Sequence, residues 1–483
     1  MTPAYRKTYR PWQPQVYGQQ AHAPAAKLPD DDLVFFLIDL VPQLDLRKFY
    51  APYEDETRGA PPFDPSMMVC LLLYSYCLGV RSSRKIARAC ERNLAFLAIV
   101  GVDRPDFRTI SDFRKLHLEA FIDTFTEVLR LAKEAGLIQL GVLATDGTKM
   151  AGNASRHKAM SYGYMAQEVE RLRAEIAALL RQAQDTDAAA DAVLGSRRGD
   201  ELPAELARRE QRLATIQAAQ QRLEAAAQAE ADAERQRRAE AEAERARTGP
   251  HRRGREPGPI DATPDPKAQT NFTDPDLKIM KTSNKGWDYC GNAQAVVDGK
   301  CQLILACDVV PDSNDKQQAV PMAQQALANL EQAGIERPVD AQGQAVPIPN
   351  LTDSGYYSEQ AAQGMADLGL DPHMATGRQR HHEAPATTAT PGATEPTPAR
   401  TPSVAVATAK ATMTAKLRTP AGRALYALRK TIVEPVFGQI KGAREIRRFL
   451  LRGLTKVRGE WRLICLTHNV LKLWRYRCAP KGI

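Results

Sequence analysis

Two aspartates stand just past apolar, β-prone runs, and each is closely followed by a turn glycine: Thr145-Asp146-Gly147 and Thr352-Asp353-Ser354-Gly355. A buried parallel strand delivers its end to the sheet edge where ligands bind in α/β folds. Two such strands side by side would bring both carboxylates within reach of shared cations. Hard cations such as Mg²⁺ need oxygen ligands, and one or two carboxylates suffice per ion. A third carboxylate on a helix, Glu434, would complete a two-metal site, in which one ion activates the attacking oxygen and the other stabilises the leaving oxygen. Residue type alone makes this set weakly specific. The chain has 57 acids, and acids after strands commonly cap helices or form turns.

The elements that must position these groups are read from periodicity. Residues 1–29 are polar, Pro-containing and basic, and are expected to be a flexible N-terminus. They lack the apolar core of a signal peptide, and the longest apolar run, Met67 to Val80, is too short and too polar to cross a membrane. The expectation is a soluble cytoplasmic protein with no membrane partner. Residues 30–136 read as helical. Acids at Asp30 to Asp32 precede the run Leu33 to Leu40, Asp64-Pro65-Ser66 opens a second helix, Ser82-Ser83 a third, and Thr109 caps a fourth that carries Asp112, Arg114 and Lys115. Short helices with one basic face suit a helix-turn-helix reader of DNA, although an ordinary helical bundle would look similar. Ile138 to Thr145 reads as a buried strand with Asp146 at its exit.

Residues 161–247 are an Ala-, Glu-, Arg- and Gln-rich insertion. Met165, Val169, Leu172, Ile176 and Leu179 recur at heptad spacing, and Leu206, Leu213, Ile216 and Leu223 resume it after a break near Gly195 and Pro203. This predicts an antiparallel coiled-coil hairpin. Residues 248–270 read as a linker. Strands over Asn292 to Val297 and Gln302 to Val310 form a hairpin about Asp298-Gly299. A helix over Gln317 to Gln332, a strand from Val346 to Thr352, a helix over Ser358 to Leu368 and a strand near Pro372 to Thr376 follow. Residues 381–413 form a low-complexity Ala/Thr/Pro tract that is expected to be disordered. Arg423 to Lys441 and Leu454 to Tyr476 are helical in tendency.

Charge narrows the class. The formal net charge is +9, but from Lys410 onward 18 Lys and Arg face three acids, whereas the rest of the chain holds 48 basic and 54 acidic residues. So lopsided a segment points to nucleic acid. Eight scattered cysteines include no CxxC pair, so no zinc site is indicated. The scarcity of aromatics, 6%, argues against a carboxylate-pair glycosidase.

The segment from Tyr426 through Arg429, Lys430 and Glu434 to Lys441 resembles the third-carboxylate signature of DDE transposases of bacterial insertion sequences, where a tyrosine and a basic residue precede the glutamate and a lysine follows it by seven. The usual signature puts three residues between the basic residue and the glutamate. Arg429 has four, so Lys430 fits that slot, and Pro435 directly after Glu434 implies that Glu434 begins a helix. Ala144 to Lys149 and Leu351 to Tyr356 resemble the first and second aspartate motifs. Asp64 to Leu137, with Thr109-Ile110-Ser111-Asp112-Phe113-Arg114, is similar to the family's N-terminal helical domain. The likeness continues through Gly453 to Trp474, with Thr467-His468-Asn469. A branch of the family also carries a long charged helical insertion after the first aspartate.

The resemblance implies an α/β fold with a ribonuclease H-like mixed sheet over residues 137–160 and 271–483. Asp146 would leave the first strand, Asp353 the fourth, and Glu434 would come from a helix after the fifth. It implies Asp146, Asp353 and Glu434 as catalytic residues and ligands of two Mg²⁺ or Mn²⁺ ions, cleavage of double-stranded DNA at element ends, and strand transfer into a target. It further implies a nucleoid-associated protein acting as a homodimer on DNA. Lys149, Arg429, Lys430, Lys441, Arg114 and Lys115 are the candidate DNA contacts. A metal-dependent nuclease without strand transfer, an inactive transposase and a non-catalytic DNA-binding protein remain as alternatives.

Overall fold

The structure, a computed structural model, describes residues 10–13, 24–54, 60–194, 204–248, 258–282, 286–377 and 409–478. These divide into two compact units, one of residues 1–152 and 290–483 and one of residues 153–289.

The first unit opens with helices α1 (Leu33–Leu40), α2 (Arg47–Tyr50), α3 (Pro65–Cys77), α4 (Ser83–Arg92), α5 (Leu94–Val100), α6 (Phe107–Leu116) and α7 (Ala120–Glu134). Four of these starts, those of α1, α3, α5 and α6, follow from side chains that satisfy free N–H groups. Asp32 accepts from Val34 N, Asp64 from Ser66 N and Met67 N with Pro65 in the first turn, and Asn93 from the amides of Ala95 and Phe96. The cap of α6 is Asp106, which accepts from Thr109 N, so Thr109 lies inside the first turn rather than capping it. Helix α3 is buried on all sides, as its run Met67–Cys77 predicts. Residues 10–13 are not free of the fold: Trp12 Nε1 donates to the Ile99 carbonyl at 3.0 Å, and Arg10 lies over the Phe63 ring.

Strands β1 (Leu143–Ala151), β5 (Trp287–Asp298), β6 (Ile304–Val310), β7 (Ile348–Thr352) and β8 (Leu370–Met374) carry the sheet of this unit in the order β6-β5-β1-β7-β8. Pairings of β1 with β5 and β5 with β6 are antiparallel, and those of β1 with β7 and β7 with β8 are parallel. Helix α10 (Ala319–Gln332) packs on β6, and α11 (Glu359–Asp367), capped by Ser358, packs on β8. After the residues that are not described come α12 (Ala409–Arg418), α13 (Pro420–Ala427), α14 (Arg429–Ile432), α15 (Glu434–Gly438), a π-helical turn over Gln439–Ala443, and α16 (Leu454–Cys478). Of the tract expected to be disordered, residues 409–413 are helical instead, with Met413 buried; the remainder lies outside the described residues.

Helix α16 joins the helical region to the sheet. It packs on α3, α7 and β6. Trp461, fully buried, donates to the Gln294 carbonyl at 3.0 Å, and Asn469 exchanges two hydrogen bonds with the backbone of Ile304. Arg81, between α3 and α4, pairs with the fully buried Glu460 at 2.6 Å, whose carboxylate also accepts the amides of Leu450 and Leu451. The helices before residue 136 and the sheet therefore share one core rather than forming separate bodies.

The second unit contains β2 (Ala159–Ser161) paired antiparallel with β3 (Gln269–Asn271), β4 (Lys278–Lys281), and helices α8 (Tyr162–Leu194) and α9 (Ala204–Thr248). Met165, Val169 and Leu172 bury against Ile216 and Ala219, as a 4-3 apolar spacing requires for two packed helices. Arg209 and Arg212 reach Glu175 and Glu168 across that contact. The break between the two helices, with Gly195 and Pro203, lies outside the described residues.

Among the described residues no helix is long and apolar enough to cross a membrane.

Candidate active site

The register of β1 on β7 sets the first two carboxylates. Leu143 lies opposite Asn350 and Ala144 opposite Leu351. Carried three residues on, the same offset puts Asp146 level with Asp353, the residue directly after β7. Thr145 Oγ1 donates to Asn350 Oδ1 at 3.1 Å and ties the strands just before they separate. Asp353 stands at a strand exit, as its sequence implies. Asp146 does not: β1 runs on to Ala151, so Asp146 lies within the strand and pairs with Ala295 of β5, and Gly147 is a strand residue opposite Gln294 rather than a turn. The continuation, Gly147-Thr148-Lys149, is polar and lies in register with β5, where Asn292 and Gln294 are buried.

Gly147 has a specific cause. A Cβ at this position would lie 2.3 Å from Gln294 Nε2 and 3.0 Å from Asn292 Oδ1, far inside contact distance. Only glycine lets the β5 amides lie this close to Asp146.

The third carboxylate comes from the broken segment 420–443. Thr419 caps α13, and Val433 separates α14 from α15. Pro435 sits in the first turn of α15, where its missing N–H costs nothing, so Glu434 begins that helix. Ile432, Val433, Val436 and Phe437 are buried, and Phe437 stacks with Trp461 at 6.5 Å between centroids. Arg429 thereby points at the aspartates. Its Nη1 donates to Asp146 Oδ2 at 2.9 Å, and its Nη2 reaches Glu434 Oε1 at 3.4 Å.

Burial pushes the Asp146 carboxyl up to about 6, and the charge of Asp353 pushes the same way, while Arg429 and the Gly147 amide pull it back. Burial also acts to lower Arg429, but the negative charge of Asp146, Tyr426, Asp353 and Glu434 outweighs it and the net shift is upward. The Tyr426 hydroxyl is raised by burial, partly opposed by Arg429. The site is a half-desolvated group of acids with one guanidinium among them.

Residues 23–116 match the family of a transposase domain (DUF772), and residues 395–474 match a transposase DDE domain. No curated protein and no solved structure matches the chain.

The two matches support a DDE-type insertion-sequence transposase. The second match spans Glu434 and Lys441; Asp146 and Asp353 lie outside both matched segments. The family acts on DNA, and the basic stretch beyond Lys410 accords with such a partner.

Placement separates the transposase's candidate DNA contacts. Lys441 is drawn inward: Nζ donates to Thr148 Oγ1 at 2.5 Å and to the Lys149 carbonyl at 2.8 Å, and burial lowers its pKa. Lys149 Nζ donates to the Ser313 carbonyl at 2.7 Å. Lys430 sits beside Arg429 in α14, and it is Arg429 that bonds Asp146 and Glu434. Lys115 is exposed and pairs with Asp112. Arg114 is corrected. It is 4% exposed, and its Nη1 donates to Tyr76 Oη and the Arg81 carbonyl, so it holds α6 to the end of α3 and is not available at a DNA-facing surface.

Sequence reasoning missed Gln294, Asn292, Asp315 and Tyr356. Gln294 Nε2 and Asn292 Nδ2 both donate to Asp315 Oδ1, and the Tyr356 hydroxyl donates to Gln294 Oε1. The available signal was weak: two polar residues, Asn292 and Gln294, at alternate positions of an otherwise apolar strand.

Transposases of this type generally use divalent metal ions. Among the described residues no three His, Cys, Asp or Glu side chains are gathered closely enough to hold one. The donors at hand nonetheless fit a hard cation. They are all oxygens, and the charge of Asp353 opposes the ionisation of Asp146, a cost that bound positive charge relieves. Glu434 is engaged by Arg429 and is half exposed.

Proposed function

We propose that this transposase cleaves DNA at the ends of its element and transfers the freed strand into target DNA, with Asp146, Asp353 and Glu434 as its metal-holding carboxylates. The observation that carries the reading is the β1–β7 register, whose continuation would bring Asp146 level with Asp353 just past the end of β7, with Arg429 linking Asp146 to Glu434. A sheet of order β6-β5-β1-β7-β8, antiparallel on one side of β1 and parallel on the other, further supports a ribonuclease H-like core. The helices α8 and α9, inserted between β1 and β5, serve in this reading as a coiled-coil arm.

Two divalent ions, Mg²⁺ or Mn²⁺, would be held by Asp146, Asp353 and Glu434 and would supply Lewis-acid stabilisation of phosphoryl oxygens. The rest is the work of this chain's residues. Water attacks a phosphodiester at the element's end, the new O–P bond forms as the P–O3′ bond breaks, and the proton passes to the released 3′ oxygen. The resulting 3′-OH attacks a target phosphodiester in line, and a target 3′ oxygen leaves with the proton. In this reading Arg429, which bonds Asp146 and Glu434, holds phosphates together with Lys430, and Lys149 and Lys441 do so with the ammonium hydrogens not given to Ser313, Thr148 and the Lys149 carbonyl. Arg84, Lys85, Arg88 and Arg92 are exposed on α4 and would supply further phosphate contacts in this reading. Because two element ends must be joined, the active species is a homodimer on DNA, associated with the bacterial nucleoid.

The test is cleavage of a labelled duplex carrying the element's end, in Mg²⁺, Mn²⁺ or EDTA, by wild type and Glu434→Gln. The expected outcome is metal-dependent nicking that Glu434→Gln loses by about 10³-fold or more while still binding the duplex. Cleavage that survives the substitution would overturn the assignment. A folded wild type that binds but never cuts would favour a DNA-binding protein or an inactive transposase.

A further inference from the structure

The loop over residues 311–318, between β6 and α10, is fastened to the strands that carry the site. Lys149 of β1 donates to the Ser313 carbonyl at 2.7 Å. Asn292 Nδ2 of β5 donates to the Asp312 carbonyl at 3.2 Å and to Asp315 Oδ1 at 2.6 Å, and Gln294 Nε2 donates to the same oxygen at 2.8 Å. Asn292 and Gln294 are both fully buried.

Gln294 touches the neighbourhoods of both aspartates. Its Nε2 occupies the place a Cβ of Gly147 would need, directly after Asp146. Its Oε1 accepts the hydroxyl of Tyr356, which is fully buried three residues after Asp353. An amide has a donating end and an accepting end, and a carboxylate accepts only. Asp315 therefore fixes which way round Gln294 lies: Nε2 toward Asp315 and Oε1 toward Tyr356. A second link is direct. A Cβ on Gly355 would meet Asp353 Oδ1 at 3.0 Å and Asp315 Oδ2 at 3.4 Å, so the two carboxylates flank one backbone point of the loop after β7.

We propose that Asp315 is a positioning residue of the transposase site, acting through Gln294 and Tyr356 to hold the Asp353 loop in register with Asp146. The inference rests on the functional reading above. Without Asp315 the buried Nε2 loses its acceptor, a fault that a buried amide relieves by turning or by admitting water. Either change takes the fixed acceptor away from Tyr356 and loosens Asp353 relative to Asp146. A displacement of about 1 Å between groups that must act together costs up to about 10²-fold in rate.

The test compares full-length wild type, Asp315→Ala, Asp315→Asn, Tyr356→Phe, Asp315→Ala/Tyr356→Phe and Asp353→Asn in cleavage of the element-end duplex, with duplex affinity and thermal unfolding measured alongside. Asp315→Ala is expected to lower kcat by about 10²-fold with KM for the duplex unchanged within about twofold. Asp315→Asn keeps an oxygen that both amides can reach and is expected to restore kcat to within about tenfold of wild type. Tyr356→Phe, which removes only a hydroxyl, is expected to lower kcat by about tenfold and to add little in the double variant, because both changes break one chain of contacts. Three results would overturn the proposal: full activity in Asp315→Ala, Asp315→Asn as inactive as Asp315→Ala, or effects of Asp315→Ala and Tyr356→Phe that multiply. If Asp315→Ala does not fold, Tyr356→Phe with wild-type kcat is sufficient to overturn it. Cleavage by Asp353→Asn would instead sink the underlying site assignment.

Discussion

Replacing Asp146 by Asn should stabilise the metal-free protein while destroying its chemistry. Asp146 is 18% exposed, and its folded pKa is about 6 against an ordinary 3.8. Between those values the folded chain binds a proton that the unfolded chain has released, so stability falls as pH rises through that window. Above pH 6 the full penalty stands, about 3 kcal/mol at 1.36 kcal/mol per pKa unit. Asn mimics the protonated acid and carries no such penalty. It can still accept from Gly147 N, but its amide can also turn an N–H toward Arg429, so about 3 kcal/mol is the upper bound of the gain. The assay is urea unfolding of both proteins in EDTA at pH 7.5 and pH 4. The variant should be the more stable at pH 7.5, with the gap closing toward pH 4, and effects from other titrating groups cancel in the difference. A less stable Asp146→Asn at pH 7.5, or a gap independent of pH, would refute the claim that Asp146 is held ionised against its surroundings.

Two further expectations concern the frame. Gly79 follows α3 at φ +75°, and a Cβ there would lie 2.2 Å from the Arg444 carbonyl oxygen, so Gly79→Ala should cost about 3 kcal/mol or more, read as a lowered urea midpoint; a change below about 1 kcal/mol would contradict this close approach. His468, 2% exposed with Nε2 at 3.0 Å from the Gln302 carbonyl, is pushed down to about 3 by burial, against the pull of that carbonyl. The unfolded histidine takes up its proton near pH 6.5, so stability is full above that pH and drains as pH falls, by about 3 kcal/mol at pH 4.5. His468→Gln should flatten the acid limb of unfolding by that amount, and an unchanged limb would show that the imidazole is not buried neutral.

What could be read from the chain tracks how local its cause is. Asp64-Pro65 announces a helix start because an Asp cap followed by Pro satisfies that start within three residues. Leu351-Thr352-Asp353 announces a strand exit because the apolar run ends there. Asp146 was legible as a candidate but misplaced, since β1 runs on past it paired with β5, nearly 150 residues away in the chain. Asp315 stands in Asp312-Ser313-Asn314-Asp315, which reads as ordinary turn chemistry until its amide partners are seen. Arg114 lies in a motif that invites a DNA-facing role, yet the carbonyl of Arg81 and the hydroxyl of Tyr76 claim it. Glu460 looks like one more surface acid on a basic helix and is fully buried, because Arg81 and two backbone amides supply what water would have given.

The same logic decides between Arg429 and Lys430. Counting along one continuous helix favours Lys430, because helical neighbours recur at three and four residues. The segment is not one helix. The break at Val433, with Pro435 seated in the first turn of α15, turns Glu434 relative to α14 so that a residue five positions earlier reaches it. Lysine would also serve poorly. One guanidinium, 14% exposed, spans Asp146 with Nη1 and Glu434 with Nη2, and a single ammonium offers no such fork. Arg429 therefore supplies positive charge that the acids need without cations. It is also, in the proposed reading, the group that must share or yield Asp146 and Glu434 when phosphates and cations arrive. In the proposed reading it links the arrangement of the three carboxylates to DNA binding, since a phosphate that draws Arg429 away frees two carboxylates at once.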